Sequence, residues 1–318
     1  MAKFGLRRNV CRAWPWYPGC HTRLVYSQFS PYQPPGHLPL ARCFINLPVS
    51  ESIRGTMQSI EKILSLEAQG VLSLIGGGGK TSIMFHLARL LAESGQKVLT
   101  TTTTKILVPT PEQSETVLVD SDPHMVMRLA SACRKCSNHV TAAMAHLAVG
   151  GKLQGFKPGD IDMFQESGLF DWILVEADGA AGRSLKAPAE HEPVIPSCTT
   201  VLIAVAGLDI LGKPLSDTFV FRSERAGKLL GLSEGETVTE SALARFFARP
   251  IGPFKGAPPA SRRFIFLNKA DDSERAAAAA RIAGLLRTTS SAEAGTLVAG
   301  QALERLAIHS VHALAKKK

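Results

Sequence analysis

Residues 70–87 read GVLSLIGGGGKTSIMFHL. An apolar run of strand length meets four consecutive glycines, then Lys80 and Thr81, then a stretch with Ile83, Leu87, Leu90 and Leu91 spaced for one helix face. A buried strand that turns directly into a helix is the opening of a parallel α/β unit. Four adjacent glycines cost backbone entropy, roughly 0.5–1 kcal/mol each inside a regular element. Their retention implies a use for the bare backbone.

The rest of the chain repeats the theme. Apolar strands are expected over residues 97–104, 116–120, 171–178, 199–207 and 263–271, with helices over 81–94, 123–134 and 273–287, the last capped by Ser273. Near-continuous apolar strands alternating with helices predict a mostly parallel sheet covered on both faces. The fold class is therefore a P-loop NTPase-like three-layer α/β sandwich. Residues 179–198 hold Pro188, Pro193 and Pro196 and read as a long ordered loop or lid. Short helices near residues 225–232 and 239–247 suggest a small helical lobe over about 208–262.

The glycine stretch differs from the usual G-x-x-x-x-G-K-[ST] phosphate loop. With the lysine at Lys80, the first glycine belongs at position 74, which is Leu74. Gly76, Gly77, Gly78, Gly79, Lys80 and Thr81 instead spell G-x-x-G-K-T. Such a loop can still hold phosphate through glycine amides, the helix N-terminus at Thr81 and Ser82, and the Lys80 charge. The Thr81 hydroxyl suits Mg²⁺. Downstream, ILVEADG carries Glu176 and Asp178 at a strand's carboxyl end, two residues apart and so on one side. That is where an acid supports Mg²⁺ or orients water, which makes Thr81, Glu176 and Asp178 the candidate metal ligands.

The stretch FLNKAD places Asn268, Lys269 and Asp271 after another apolar strand. N-K-x-D resembles the guanine-specificity motif of GTPases. A fixed carboxylate accepts two hydrogen bonds that adenine cannot donate, which points to GTP, with ATP as the alternative. In the loop, Arg183 and Lys186 are candidates to offset charge on a phosphoryl group; Glu190, His191 and Glu192 complete a dense charged set, with Arg222 further on. The run Thr100–Thr104 reads either as β-branched strand filler or as hydroxyls aimed at phosphate.

Charge does not point to nucleic acid. The net +9 is concentrated in residues 1–56, which hold seven Lys or Arg against Glu51 alone, and in Lys316, Lys317 and Lys318. The middle is near neutral, so neither a nucleic-acid nor a membrane partner is expected. No apolar run approaches the roughly 18–20 residues of a membrane span. Residues 1–56 show no apolar period and read as an extension outside the fold, or as sequence upstream of a true start at Met57. Cys133 and Cys136, with His139 nearby, lack a second ligand pair at zinc spacing, so free thiols are expected.

Taken together, SLIGGGGKTS, VLTTTTTKI, ILVEADGAAGRSLKAPAEHEPVIP, VAGLDILGKPL and FLNKAD resemble the selenium-dependent molybdenum hydroxylase accessory proteins of the YqeC type. The resemblance runs from about residue 57 to 271. It implies a cytoplasmic protein linked to selenium cofactor biosynthesis, partnered by a molybdenum hydroxylase or a cofactor-handling protein. It supplies no catalytic residues. The sequence reading is a Mg²⁺-dependent nucleoside triphosphatase, GTP over ATP, with one α/β domain over 57–318. Two alternatives stay open: an ATP-dependent ligase or kinase with a Mur-ligase-like loop, and a nucleotide-gated scaffold without turnover.

Overall fold

The computed structural model describes residues 60–66, 69–133, 137–289, 293–303 and 305–314. The expected extension over 1–56, Met57, Cys136 and the terminal lysines lie outside them. In chain order the first half comprises α1 (Ile60–Leu64), β1 (Gly70–Gly76), α2 (Lys80–Glu93), β2 (Val98–Thr102), β3 (Lys105–Leu107), β4 (Val117–Val119), α3 (Pro123–Cys133), β5 (His139–Ala143), β6 (Ala145–Leu147), β7 (Lys152–Gln154) and α4 (Pro158–Glu166). The second half comprises β8 (Trp172–Glu176), β9 (Leu185–Lys186), β10 (Val201–Gly207), β11 (Val220–Phe221), α5 (Ser223–Leu230), α6 (Glu240–Ala248), β12 (Arg262–Asn268), α7 (Ser273–Thr288), β13 (Thr296–Ala302) and β14 (Leu306–Ala313).

Nine strands form one sheet in the order β14-β13-β12-β10-β1-β8-β2-β5-β4. Every neighbouring pair is parallel except β13–β14. The glycine-terminated strand β1 is central, flanked by β8 with its acids and by β10. Two small sheets, β3-β7-β6 and β11-β9, sit beyond the main one.

Alternation along β1 shows why the strands are apolar throughout. Val71 and Ile75 enter one core, shared with Phe164, Phe246, Phe247, Ile282 and Leu286. Leu72 and Leu74 enter the other, shared with Ile83, Met84, Leu87 and Leu91 of α2. Both faces are buried, so both parities must be hydrophobic. The result is a three-layer sandwich, as the sequence pattern implies. Residues 208–262 contribute α5 and α6 to the same core that receives α7.

Several local details differ from expectation. Asp272, not Ser273, caps α7: its carboxylate accepts from the Arg275 amide at 2.8 Å. Both are short polar residues, and the helix takes in Ser273 as its first residue, so the cap falls one position earlier than the pattern favours. Among the described residues, β5, α4, β13 and β14 are further elements. The threonine run stitches strands together. The hydroxyls of Thr101, Thr102 and Thr103 donate to the carbonyls of Ala142, Glu176 and Val194, and Thr100 meets Thr141 at 2.7 Å.

Candidate functional site

The carboxyl ends of β1, β8, β10 and β12 converge on the four glycines. Gly76 and Gly78 have φ of +95° and +77°, a region open to glycine. A Cβ on Gly76 would lie 2.3 Å from the Val205 carbonyl oxygen, and one on Gly78 would lie 2.2 Å from the Gly207 nitrogen. The bare backbone is therefore used for close approach to β10.

The amides of this loop divide into two groups. The Gly76 N–H donates to the Asp178 carboxylate at 3.0 Å, Gly77 to the Val205 carbonyl at 3.0 Å and Gly78 to the Arg183 carbonyl at 2.8 Å. Segment 183–185 thus lies directly over the loop. Gly79 precedes α2 without a side-chain cap. The first amides of a helix, here Lys80, Thr81 and Ser82, have no acceptor within the helix. They carry the partial positive charge of its N-terminus.

Lys80 is buried. Its ammonium donates to the Gly76 carbonyl at 2.6 Å and lies 3.1 Å from Asp178 Oδ1 and 3.7 Å from Glu176 Oε1. Burial pulls its pKa down, but the two carboxylates outweigh this and hold it above the ordinary value. The Thr81 hydroxyl donates to Glu176 Oε2 at 2.6 Å. Burial pushes the Glu176 carboxyl upward, and the counter-pull of Lys80 and Thr81 does not cancel it.

The ion pairs continue outward. Lys186 Nζ lies 3.1 Å from Asp178 Oδ2 and 2.9 Å from Glu192 Oε2, and neither contact has hydrogen-bond alignment. Glu192 Oε2 also meets Arg222 at 2.5 Å. Burial raises the Glu192 carboxyl, but the Arg222 hydrogen bond, the neighbouring Lys186 charge and the Ala189 amide bring it down to about 2. The order Glu176, Lys80, Asp178, Lys186, Glu192, Arg222 alternates in sign. Arg183 takes a different course: its guanidinium donates to the Asp217 and Ala181 carbonyls, and its backbone oxygen serves the glycine loop.

The third stretch is fastened to the loop. Asn268 Nδ2, at the end of β12, donates to the Gly78 carbonyl at 2.7 Å. Lys269 adopts φ +62° and reaches Ser184 Oγ at 2.9 Å and Asp209 Oδ2 at 2.7 Å. Asp271 is half exposed and pairs with Arg275 at 3.3 Å. Sequence reasoning did not single out Ser184 or Asp209. Asp209 follows the apolar run VLIAVAG, so the rule that polar residues just past strand ends are functional candidates would have found it. Three of the four non-glycine residues with positive φ among the described residues, Ala181, Arg222 and Lys269, belong to segments that build this site.

The donor set suits Mg²⁺. Thr81 and Glu176 are hard oxygen ligands already in contact, with Asp178 behind them. Mg²⁺ commonly takes one or two carboxylates and completes its shell with water and phosphate oxygens. Among the described residues no three His, Cys, Asp or Glu cluster into a metal cage. His139, near the cysteine pair, is committed to the Thr100 hydroxyl at 2.9 Å, and Cys136 lies outside the described residues. Among the described residues no helix is long and apolar enough to cross a membrane.

A parallel α/β sandwich with a glycine loop between its central strand and a lysine-led helix, and acids on the adjoining strand, is a P-loop NTPase-like fold. A profile of the YqeC protein matches residues 72–224, and uncharacterized protein YqeC of Escherichia coli strain K12 is 40% identical over 210 residues, 65% of this chain and 79% of its own length. The chain belongs to the YqeC family. Among solved structures, FtsY from Mycoplasma mycoides aligns with a TM-score of 0.32 and 13% identity. That alignment covers 77% of this chain and 65% of FtsY, under two thirds of its length.

Proposed function

We propose that this protein binds a Mg²⁺–nucleoside triphosphate at the glycine loop, with GTP as the nucleotide, and hydrolyses it. The amides of residues 79–82 and the Lys80 ammonium would hold phosphate, because the amides of residues 76–78 already serve protein acceptors. Thr81 and Glu176 would hold Mg²⁺, supported from behind by Asp178. The bound ion would neutralise phosphate charge. Glu176, buried beside the Thr81 hydroxyl, would also orient the attacking water. Lys186 and Arg183 belong to the segment that roofs the loop.

The observation that supports guanine is the bond from Asn268 to the Gly78 carbonyl. It brings the N-K-A-D stretch to the phosphate loop, two strand spacings, about 10 Å, from β1. Asp271 would accept the guanine hydrogen bonds after parting from Arg275. The test is nucleotide selectivity of Asp271→Asn. A shift from GTP toward xanthosine triphosphate is expected; unchanged selectivity would remove the guanine assignment.

The Asp271–Arg275 pair gives a second reading some weight, since it occupies the guanine acceptor. In that reading the protein is an ATP-dependent ligase or kinase, and phosphate release requires a second substrate. In the family context, we propose that nucleotide turnover assists selenium cofactor biosynthesis or insertion for molybdenum hydroxylases in the cytoplasm, with a hydroxylase or cofactor-handling protein as partner.

A further inference from the structure

The outward half of the alternating ion chain has no task in the scheme above. Lys186 is fully buried, yet its ammonium lies between two carboxylates and is aligned for a hydrogen bond to neither. It also stands 5.9 Å from the centre of the Phe221 ring, whose face is shared with the Arg222 guanidinium at 4.6 Å. Lys186 and Arg222 converge on one oxygen, Glu192 Oε2. Lys186 therefore faces Asp178 on one side and Glu192, the partner of Arg222, on the other.

Arg222 is a junction. It adopts φ +62° immediately before α5, donates to the Ala187 carbonyl at 3.3 Å, and follows β11, which pairs with β9. A non-glycine residue in this region is strained and persists only where its surroundings hold it. Here the holders are Glu192, Ala187 and Phe221.

We propose that Lys186, Glu192 and Arg222 form a buried ion relay through which the charge state around Asp178 sets how firmly the β11–α5 junction is held. The proposal rests on the nucleotide reading for its trigger. Phosphate would draw Lys80 away from Asp178. Asp178 then claims Lys186 more fully, Glu192 is left to Arg222, and the junction tightens. Removing the charge of Asp178 has the opposite effect: Lys186 turns to Glu192, competes with Arg222 for Oε2, and the junction loosens. The three relay residues are positioning residues, since none is required to touch the nucleotide.

Hydrogen exchange of the full chain tests this, read on peptides covering residues 218–230 with β12 peptides as the reference for global change. In the wild type, saturating Mg²⁺–GTP slows exchange in 218–230 about tenfold, within the ~5–150-fold span of ordinary site-to-site coupling. Asp178→Asn speeds it without nucleotide. Arg222→Gln speeds it and abolishes the response, while Arg222→Lys restores part of the protection. Unchanged protection in Asp178→Asn, relative to β12, overturns the relay. So does wild-type protein that binds nucleotide in a parallel titration without slowing. If that titration shows no binding while Asp178→Asn loosens the junction, the relay stands and the nucleotide reading falls.

Discussion

Replacing Gly78 by alanine gives a quantitative test of how the glycine loop is built. Two costs act at this position. The first is conformational: φ of +77° places a Cβ in the left-handed region, at roughly 1–2 kcal/mol. The second is steric: the added Cβ would lie 2.2 Å from the Gly207 nitrogen and 2.8 Å from its Cα. Those are backbone atoms at the end of β10, so relief requires moving a central strand, and overpacking of this kind costs about 1–3 kcal/mol. A reduced unfolded-state entropy returns about 0.4–1 kcal/mol. The expected net loss is about 1–4.5 kcal/mol, by the sum of these contributions. Gly95→Ala isolates the first cost, because Gly95 has φ +91° and nothing within 4 Å of its Cβ position. It should lose only about 1 kcal/mol. Urea unfolding followed by tryptophan fluorescence measures both variants, with Trp172 buried in the sheet as a reporter. Equal losses would refute the close approach of the loop to β10.

Three further outcomes follow from the buried charges and thiols. Lys80→Met leaves Glu176 and Asp178 short of a buried cation and should destabilise by about 3–5 kcal/mol; Glu176→Gln added to it should recover part of that loss in urea, whereas strict additivity would contradict the pairing. Burial lowers His139 from 6.5 to about 4, so the folded state resists its protonation and stability falls as pH drops from 6.5 through 4. The paired Glu192, held down to about 2, adds stability above about 4.5 that is lost as pH falls toward 2. His139→Gln should flatten the upper part of the melting-temperature profile and leave the lower part; an unchanged profile above pH 4 would refute the histidine assignment. Burial first, and then Asp162, push the Cys198 thiol up to about 12, against an ordinary 9. Iodoacetamide should modify it roughly 10³-fold more slowly in the folded protein than in the unfolded one, since the thiolate is the reacting form. A ratio near one would contradict its burial.

The parts of the molecule legible in the sequence are those where one physical signal dominates. β1, β8, β10 and β12 are apolar on both parities because both sheet faces are covered, and no other element leaves that pattern in so few residues. β14 left little trace: it is an edge strand with no fully buried residue, only partly buried and exposed ones along its length. Helix α4 buries only Ile161 and Phe164, too few for a helical period to stand out. At the site, Lys80, Thr81, Glu176 and Asp178 could be named because strand ends and glycine loops are local in sequence. Glu192 and Arg222 were visible as charges in a loop, but their pairing spans 30 residues and depends on how the loop crosses the sheet. The engagement of the Gly77 and Gly78 amides by Val205 and Arg183 is likewise a tertiary fact. In the proposed phosphate site it narrows the candidate amides to those that open α2.

The most direct test of the nucleotide site is a calorimetric titration of Mg²⁺–GTP into the full chain, beside Lys80→Ala. Saturable binding at one site in the wild type, lost in the variant and absent without Mg²⁺, is the predicted result. No binding at millimolar nucleotide, or binding that Lys80→Ala leaves unchanged, would contradict a phosphate site at the head of α2.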